Sequence, residues 1–135
     1  MLNIDTNTML IELTRGDTAS IVFSAVQSDG TTYTPSVGDK LKFAVAKKVG
    51  AEPLMEIETE KTALTTDDEF WTIVIKDEWY QKDEEGEIIP GDLFKFSDYV
   101  WDVQLTDSNG EVFTIIGKTD TISPTFRVLG EVATE

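Results

Sequence analysis

The chain has 135 residues, with 26 acidic and 11 basic side chains, a formal net charge of −15, and neither cysteine nor histidine. These absences exclude disulfides, thiolate metal sites and the commonest general base, and the acidity disfavours nucleic acid and anionic membrane surfaces as partners. The length predicts a single domain over residues 1–135, with a core large enough to be stable without disulfide bonds.

Alternation of apolar and polar residues with a period of two predicts about eight short strands, and helix-period patterning is almost absent. In chain order the predicted strands are Met9–Thr14, Thr18–Val26, Lys40–Lys47, Pro53–Glu60, Phe70–Ile75, Ser97–Thr106, Glu111–Gly117 and Thr119–Val128. Pro124 cannot donate to a strand ladder, so the last strand is predicted to lie at an edge or to bend there. This spacing is typical of sandwiches and barrels, and we expect an all-β, immunoglobulin-like antiparallel β-sandwich.

The strongest local pattern is a hairpin from Tyr99 to Ile116, with its turn within Asp107–Gly110. A two-residue loop pairs Leu105 with Thr114 and Val103 with Ile116, whereas a four-residue loop shifts the register by two and leaves the faces unchanged. The predicted core face is therefore the same in both cases: Tyr99, Trp101, Val103, Leu105, Val112, Thr114 and Ile116.

One acidic loop insertion, near residues 77–96, interrupts the strands. Its dense like charge favours a solvated loop, although four apolar residues suggest that the loop is pinned to the sandwich. These four are Trp79, Tyr80, Ile88 and Ile89. We expect Asp92–Phe96 to form a helical turn before the hairpin. Calcium binding by Asp83–Glu87 stays an alternative, although this segment lacks the spacing of an EF-hand.

No motif of a catalytic or cofactor-binding site is found, because GxSxG, GxxxxGKS and a GxGxxG after a strand are all absent. We therefore expect no enzymatic activity, no catalytic residues, no cofactor and no metal site. Met1–Leu10 has no basic segment and no long apolar run, which predicts no signal peptide, and no segment is apolar for long enough to span a membrane. Trp71 and Trp101 alternate with core residues, so only Trp79 is a candidate surface aromatic.

Several strands are apolar on their second face as well, and this extra apolar surface forms the candidate interface. Its predicted members are Phe70, Val74, Val100, Phe113 and Ile115, together with Trp79 and Tyr80 of the acidic loop. Two interpretations are open: the second faces dock onto a partner, or both faces are buried within one thick monomer.

The order of motifs points to a family. Arg15-Gly16-Asp17-Thr18 leads into a strand, and Tyr99–Leu105 spells Tyr-x-Trp-Asp-x-x-Leu before a polar turn. The remaining matching pieces are Leu41–Lys47, Phe70–Ile75, Glu111–Gly117 and Phe126–Val128. Across nearly the whole chain this pattern resembles the small β-sandwich domain at the N-terminus of phage baseplate upper proteins, which occurs also in prophage tail genes of Gram-positive bacteria. The family usually has a glycine where Asp98 stands here.

The resemblance implies a virion structural module of a phage or prophage tail, made in the bacterial cytoplasm, that docks onto other tail or baseplate proteins. A homo-oligomer is a further expectation, whereas nucleic acid and membrane are not expected as partners. The family carries no catalytic residues. The alternative function is a ligand-binding β-sandwich, either a carbohydrate-binding module or a surface adhesion domain, which would present a strip of exposed aromatic side chains or a calcium site.

Overall fold

The computed structural model describes residues 2–5, 8–14, 17–25, 30–63, 70–76, 80–82, 84–85, 88–93, 98–116 and 123–129. These residues form strands and turns and no helix, so the prediction of an all-β sandwich is confirmed. The strands are β1 (Leu2–Asp5), β2 (Leu10–Thr14), β3 (Ala19–Ser24), β4 (Lys40–Ala46), β5 (Pro53–Glu60), β6 (Phe70–Ile75), β7 (Tyr80–Lys82), β8 (Ile88–Leu93), β9 (Asp98–Thr106), β10 (Val112–Ile116) and β11 (Thr125–Leu129).

Two sheets face each other across the core. The larger sheet has seven strands in the order β1-β2-β11-β9-β4-β5, with β10 also paired to β9. The smaller sheet consists of β3 and β6, and β7 with β8 forms a separate hairpin. Neighbouring strands are antiparallel except β2 and β11, which run parallel with Thr125 opposite Leu10. The predicted antiparallel pairing therefore holds at every described pair except this one.

Of the two alternatives predicted for the last strand, the edge position is wrong. β11 lies inside the larger sheet between β2 and β9, where it pairs with both. Its first residue is Thr125, so Pro124 precedes the ladder and removes no donor from it. The carbonyl of Pro124 instead accepts a hydrogen bond from the backbone N–H of Trp101 at 3.2 Å.

The core lies between the inward faces of the two sheets, where alternate residues of each strand are buried. Phe43 of β4 lies at its centre, with ring centroids 6.1 Å from Phe23, 5.7 Å from Trp101 and 6.3 Å from Phe126. The larger sheet contributes Ile11, Leu13, Leu41, Phe43, Val45, Met55, Tyr99, Trp101, Val103, Leu105, Phe126 and Val128, and the smaller sheet contributes Ala19, Ile21, Phe23, Trp71, Ile73 and Ile75. The burial predicted for Trp71 and Trp101 is confirmed.

The hairpin between β9 and β10 has a five-residue loop, which reverses the predicted faces of β10. Asp107 causes this length: its Oδ1 accepts the N–H groups of Asn109 and Glu111 at 2.9 Å each, and its own N–H donates to the Glu111 carbonyl. Val112 therefore pairs with Thr106, whereas the two predicted registers place it opposite Asp107 or Leu105, and its side chain is exposed.

The core positions predicted for Val112 and Thr114 are wrong, because the odd loop length shifts the register by one residue. Phe113 now pairs with Leu105, on the core side of the sheet. A bulge between Thr114 and Ile116 then restores the predicted partnership of Ile116 with Val103. The side chain of Ile116 lies outside the described residues.

The acidic insertion contains the β7–β8 hairpin, in which Tyr80 pairs with Leu93. The helical turn predicted for Asp92–Phe96 is wrong at its start, because Asp92 and Leu93 end β8. Residues 94–97 and Trp79 lie outside the described residues, as do the side chains of β7 and β8. The calcium alternative falls on Asp83–Glu87, a segment that lies outside the described residues except at Glu84 and Glu85.

Candidate interaction surfaces

The outward face of the smaller sheet carries a strip of exposed apolar side chains. Phe70 and Val74 of β6 are 48% and 36% exposed, and Val22 of β3 is 59% exposed. Because Val22 lies opposite Thr72, it is the diagonal neighbour of both Phe70 and Val74. We call these three residues the apolar strip. Phe70 and Val74 belong to the predicted interface, whereas Val22 was missed although it alternates with the buried Ile21 and Phe23.

The other predicted interface residues do not join the apolar strip. Phe113 and Ile115 lie on β10 of the larger sheet, where Ile115 is half-buried against the core and Phe113 remains 47% exposed. Val100 is half-buried on the outward face of β9. For Tyr80 only the backbone position in β7 is described, and Trp79 lies outside the described residues. The predicted interface residues whose side chains are described therefore lie on two different sheets.

A cleft of about 160 Å³ opens on the outward face of the larger sheet. Its walls come from β4, β9, the turn between β4 and β5, and the segment before β11: Ala44, Ala46, Ala51, Val100, Asp102 and Pro124. Asp102 is half-buried there, and burial raises the pKa of its carboxyl, opposed by the charge of Lys42 and reinforced by that of Glu56. The sequence places Asp102 on the outward face but does not show the cleft.

Asp39 is a fully buried carboxylate that the sequence analysis did not single out. Its Oδ2 accepts hydrogen bonds from the Tyr33 hydroxyl at 2.7 Å and the Ser36 N–H at 2.8 Å, and its Oδ1 accepts one from the Ser108 N–H at 2.9 Å. These contacts join the loop before β4 to the β9–β10 turn. The bond to Asp39 is the main reason that the pKa of Tyr33 is raised to about 12. Since three donors already occupy this carboxylate, we assign it a structural role.

Gly38 brings this loop close to the turn. Its φ of +97° lies in the region that L side chains rarely adopt, and an added Cβ would stand 3.4 Å from Ser108 Cβ. The sequence signal for this arrangement is the pair Gly38-Asp39 directly before a strand, but it does not reveal that the partner lies about seventy residues further on.

Asp98 is bound to Arg127 of the neighbouring strand. The Arg127 Nε donates to Oδ1 at 2.8 Å and Nη2 to Oδ2 at 3.2 Å, and Nη1 also contacts Glu12 Oε2 at 3.3 Å. The arginine therefore ties together β9, β11 and β2. Its hydrogen bonds hold the pKa of Asp98 below the ordinary value, because they favour the charged carboxylate.

Replacing Arg127 by methionine is expected to return the pKa of Asp98 toward its ordinary value. Because the folded-state pKa of Asp98 is lowered, its contribution to stability is present above the unfolded-state pKa and is lost as the pH falls through the folded-state value. A carboxyl-carbon NMR titration of both proteins measures the change. An Asp98 pKa that is the same in Arg127→Met as in the wild type would contradict the ion pair between Asp98 and Arg127.

Neither a metal centre nor a tryptophan platform for sugars is present in the part of the chain that the structure describes. Within it, no three Asp or Glu side chains lie close enough together to hold a metal ion. Trp71 and Trp101 are buried, and the Trp101 indole N–H donates to the carbonyls of Met9 at 3.0 Å and Thr125 at 3.1 Å. The described residues also include no helix long and apolar enough to cross a membrane.

Comparisons with known proteins do not place the chain in a family. No family model matches it, and neither a curated protein nor a solved structure shows significant similarity to it.

Proposed function

We propose that this chain is a structural assembly module that docks onto partner proteins through the apolar strip of the smaller sheet. The observation that carries the proposal is that Val22 is exposed on β3 and lies diagonally opposite the exposed Phe70 and Val74 of the hydrogen-bonded β6. A strip on a paired sheet is held in place before docking, so little conformational entropy is lost when a partner covers it.

The outward side chains of β3 and β6 are all uncharged, which strengthens the proposal. The other outward residues of β3 and β6 are Ser20, Ser24 and Thr72, so neither strand presents a charged side chain outward. In a chain with 27% charged residues and a net charge of −15, such a face is unusual. Depletion of charge is a compositional mark of interface centres, and a neutral face also permits two copies to meet without local repulsion.

We infer further that the sandwich is of the immunoglobulin type. In that fold strands B and E are neighbours in one sheet, and strands C, F and G are neighbours in the other. The pairing of β3 with β6 supports this reading of B and E, and the order β4-β9-β11 supports that of C, F and G. The hairpin of β4 and β5 then corresponds to the C and C′ strands of variable-type domains.

The assignment to a phage or prophage tail or baseplate is part of the same proposal. Its support is the order of motifs, above all Arg15–Thr18 and Tyr99–Leu105, together with the strand architecture that the resemblance implies. The ligand-binding alternative has less support, because two of the three tryptophans lie in the core and form no surface platform.

Replacing Phe70 by serine is expected to abolish docking while leaving the fold intact, because the Phe70 side chain faces outward. The test is co-expression with the products of the neighbouring genes, followed by size-exclusion chromatography with light scattering. We expect the wild type to co-elute with a tail or baseplate protein, or as a homo-oligomer, and Phe70→Ser to elute as a monomer.

Val37→Ser provides a matched control, since Val37 is 55% exposed in the loop before β4, away from the apolar strip. This variant should assemble like the wild type. A wild-type chain that stays monomeric with every neighbour, or a Phe70→Ser variant that assembles normally, would contradict docking through the strip.

A further inference from the structure

We propose that the cleft on the outward face of the larger sheet binds one cationic side chain, lysine or arginine, from a basic segment of a partner protein. The Asp102 carboxylate receives the ammonium or guanidinium group, and Ala44, Ala46 and Val100 receive the aliphatic stem. The cleft and the apolar strip lie on different sheets, so neither site depends on the other.

The size of the cleft selects a single side chain. Its volume of about 160 Å³ is well below the roughly 300–1,000 Å³ of sites that hold cofactors or drug-sized ligands. The space exists because Ala44 lies opposite Asp102 and Ala46 opposite Val100, so small side chains stand where larger ones would fill the groove. Gly50 and Ala51 of the turn and Pro124 of the segment before β11 also line the cleft.

Asp102 makes no direct ion pair, although the charge of Lys42 favours its ionised form from a distance. No described residue forms a hydrogen bond or ion pair with its carboxylate, and the nearby Lys42 is already paired with Glu56 at 3.3 Å. Burial disfavours the charged form of Asp102, which is why its pKa is raised. A half-buried carboxylate in a cleft with apolar walls is typical of a binding site.

Charge complementarity identifies the partner as basic. The chain carries a net charge of −15, so its field attracts a cationic segment and repels an anionic one. Lys48 is the one cation among the residues that line the cleft, and it stands exposed in the turn. A neutral apolar side chain would fill the same space but would leave the Asp102 carboxylate without a partner.

The test uses short peptides of glycine, serine and alanine with one variable central residue. Lysine, arginine, norleucine and glutamate versions are titrated into the isotope-labelled chain, and amide shifts are followed by NMR. We expect the lysine and arginine peptides to shift the resonances of Ala44, Ala46 and Val100, and to bind at least about tenfold more tightly than the norleucine peptide. Equal binding of the norleucine peptide would overturn the proposal in favour of a purely apolar site.

Asp102→Asn and Glu58→Gln form a matched pair, because each removes one negative charge from the outward face of the larger sheet. We expect Asp102→Asn to weaken lysine-peptide binding by about tenfold or more and Glu58→Gln by less than about twofold. Equal effects would show that only the overall acidity attracts the peptides and would overturn the site.

Thermal melting of each variant shows whether a loss of peptide binding reflects unfolding. Removal of a desolvated charge should leave Asp102→Asn at least as stable as the wild type, so its loss of binding cannot reflect unfolding. Phe70→Ser should bind the lysine peptide normally, which separates failure of this site from failure of the apolar strip. Loss of peptide binding in Phe70→Ser, or shifts confined to residues outside the cleft, would contradict a site at Asp102.

Discussion

Replacing Trp101 by alanine is expected to lower the free energy of unfolding by about 4 kcal/mol, in the range seen when a large buried aromatic is truncated. Trp101 is 5% exposed and its ring lies 6.0 Å from Phe23 and 5.7 Å from Phe43, so the substitution opens a cavity between the two sheets. It also removes the indole N–H that binds the carbonyls of Met9 and Thr125. Urea unfolding followed by circular dichroism measures the loss.

Trp101→Phe separates packing from hydrogen bonding. This variant keeps an aromatic ring between Phe23 and Phe43 but removes the indole donor, and we expect it to cost about 2 kcal/mol. Val112→Ala is the control on the same sheet, since Val112 is 58% exposed and its truncation should change stability little. A Trp101→Ala variant that loses less than about 1 kcal/mol would contradict the central packing role of this side chain.

Period-two alternation predicted the strands that carry the core, because burial on one face of a sheet imposes that period directly. β3, β4, β6 and β9 all follow it over their full lengths. β1, β7 and β8 were not predicted from the sequence, and the last two have weak signals for physical reasons. β7 has three residues, too few to show alternation, and β8 contains Pro90 and Gly91, which are depleted in strands.

Register was less predictable than strand location, because it depends on side-chain contacts within the turn. Two N–H donors bind the same oxygen of Asp107, and this makes the loop five residues long and turns Val112 outward. The predicted position of β11 was also wrong. Pro124 was predicted to interrupt a strand, whereas the strand begins only after it and pairs with β2, which is more than a hundred residues earlier.

The two candidate sites also differ in how far the local sequence could predict them. The apolar strip follows from alternation within β3 and β6, so Phe70 and Val74 could be predicted from local sequence. The cleft could not, because its walls come from four segments that meet only in the fold. β9 contributes to both the core and the cleft. Its outward Asp102 lies in the cleft, and its inward residues belong to the core: Tyr99, Trp101, Val103 and Leu105. A change of register in β9 would therefore remove the core and the cleft together.

Replacing Asp39 by asparagine is expected to cost about 3 kcal/mol of unfolding free energy. The carboxylate accepts three hydrogen bonds, whereas an amide offers one oxygen and places an NH₂ group against the remaining donor. If the amide oxygen keeps Tyr33 and Ser36, the N–H of Ser108 is left without its acceptor, and the loop before β4 separates from the β9–β10 turn. Tyr33→Phe removes only one of the three bonds and should cost about 1 kcal/mol.

The titration of Tyr33 gives a second measure of the same contact. Its folded-state pKa of about 12 lies above the ordinary 10.0, so its hydrogen bond stabilises the fold fully below the unfolded-state pKa and is lost as the pH rises through the folded-state value. We therefore expect wild-type stability to fall between about pH 10 and pH 12. In Asp39→Asn the Tyr33 pKa should move back toward 10.0, as followed by phenolate absorbance with Tyr33→Phe identifying the signal. An unshifted Tyr33 titration in Asp39→Asn would show that Asp39 is not its partner.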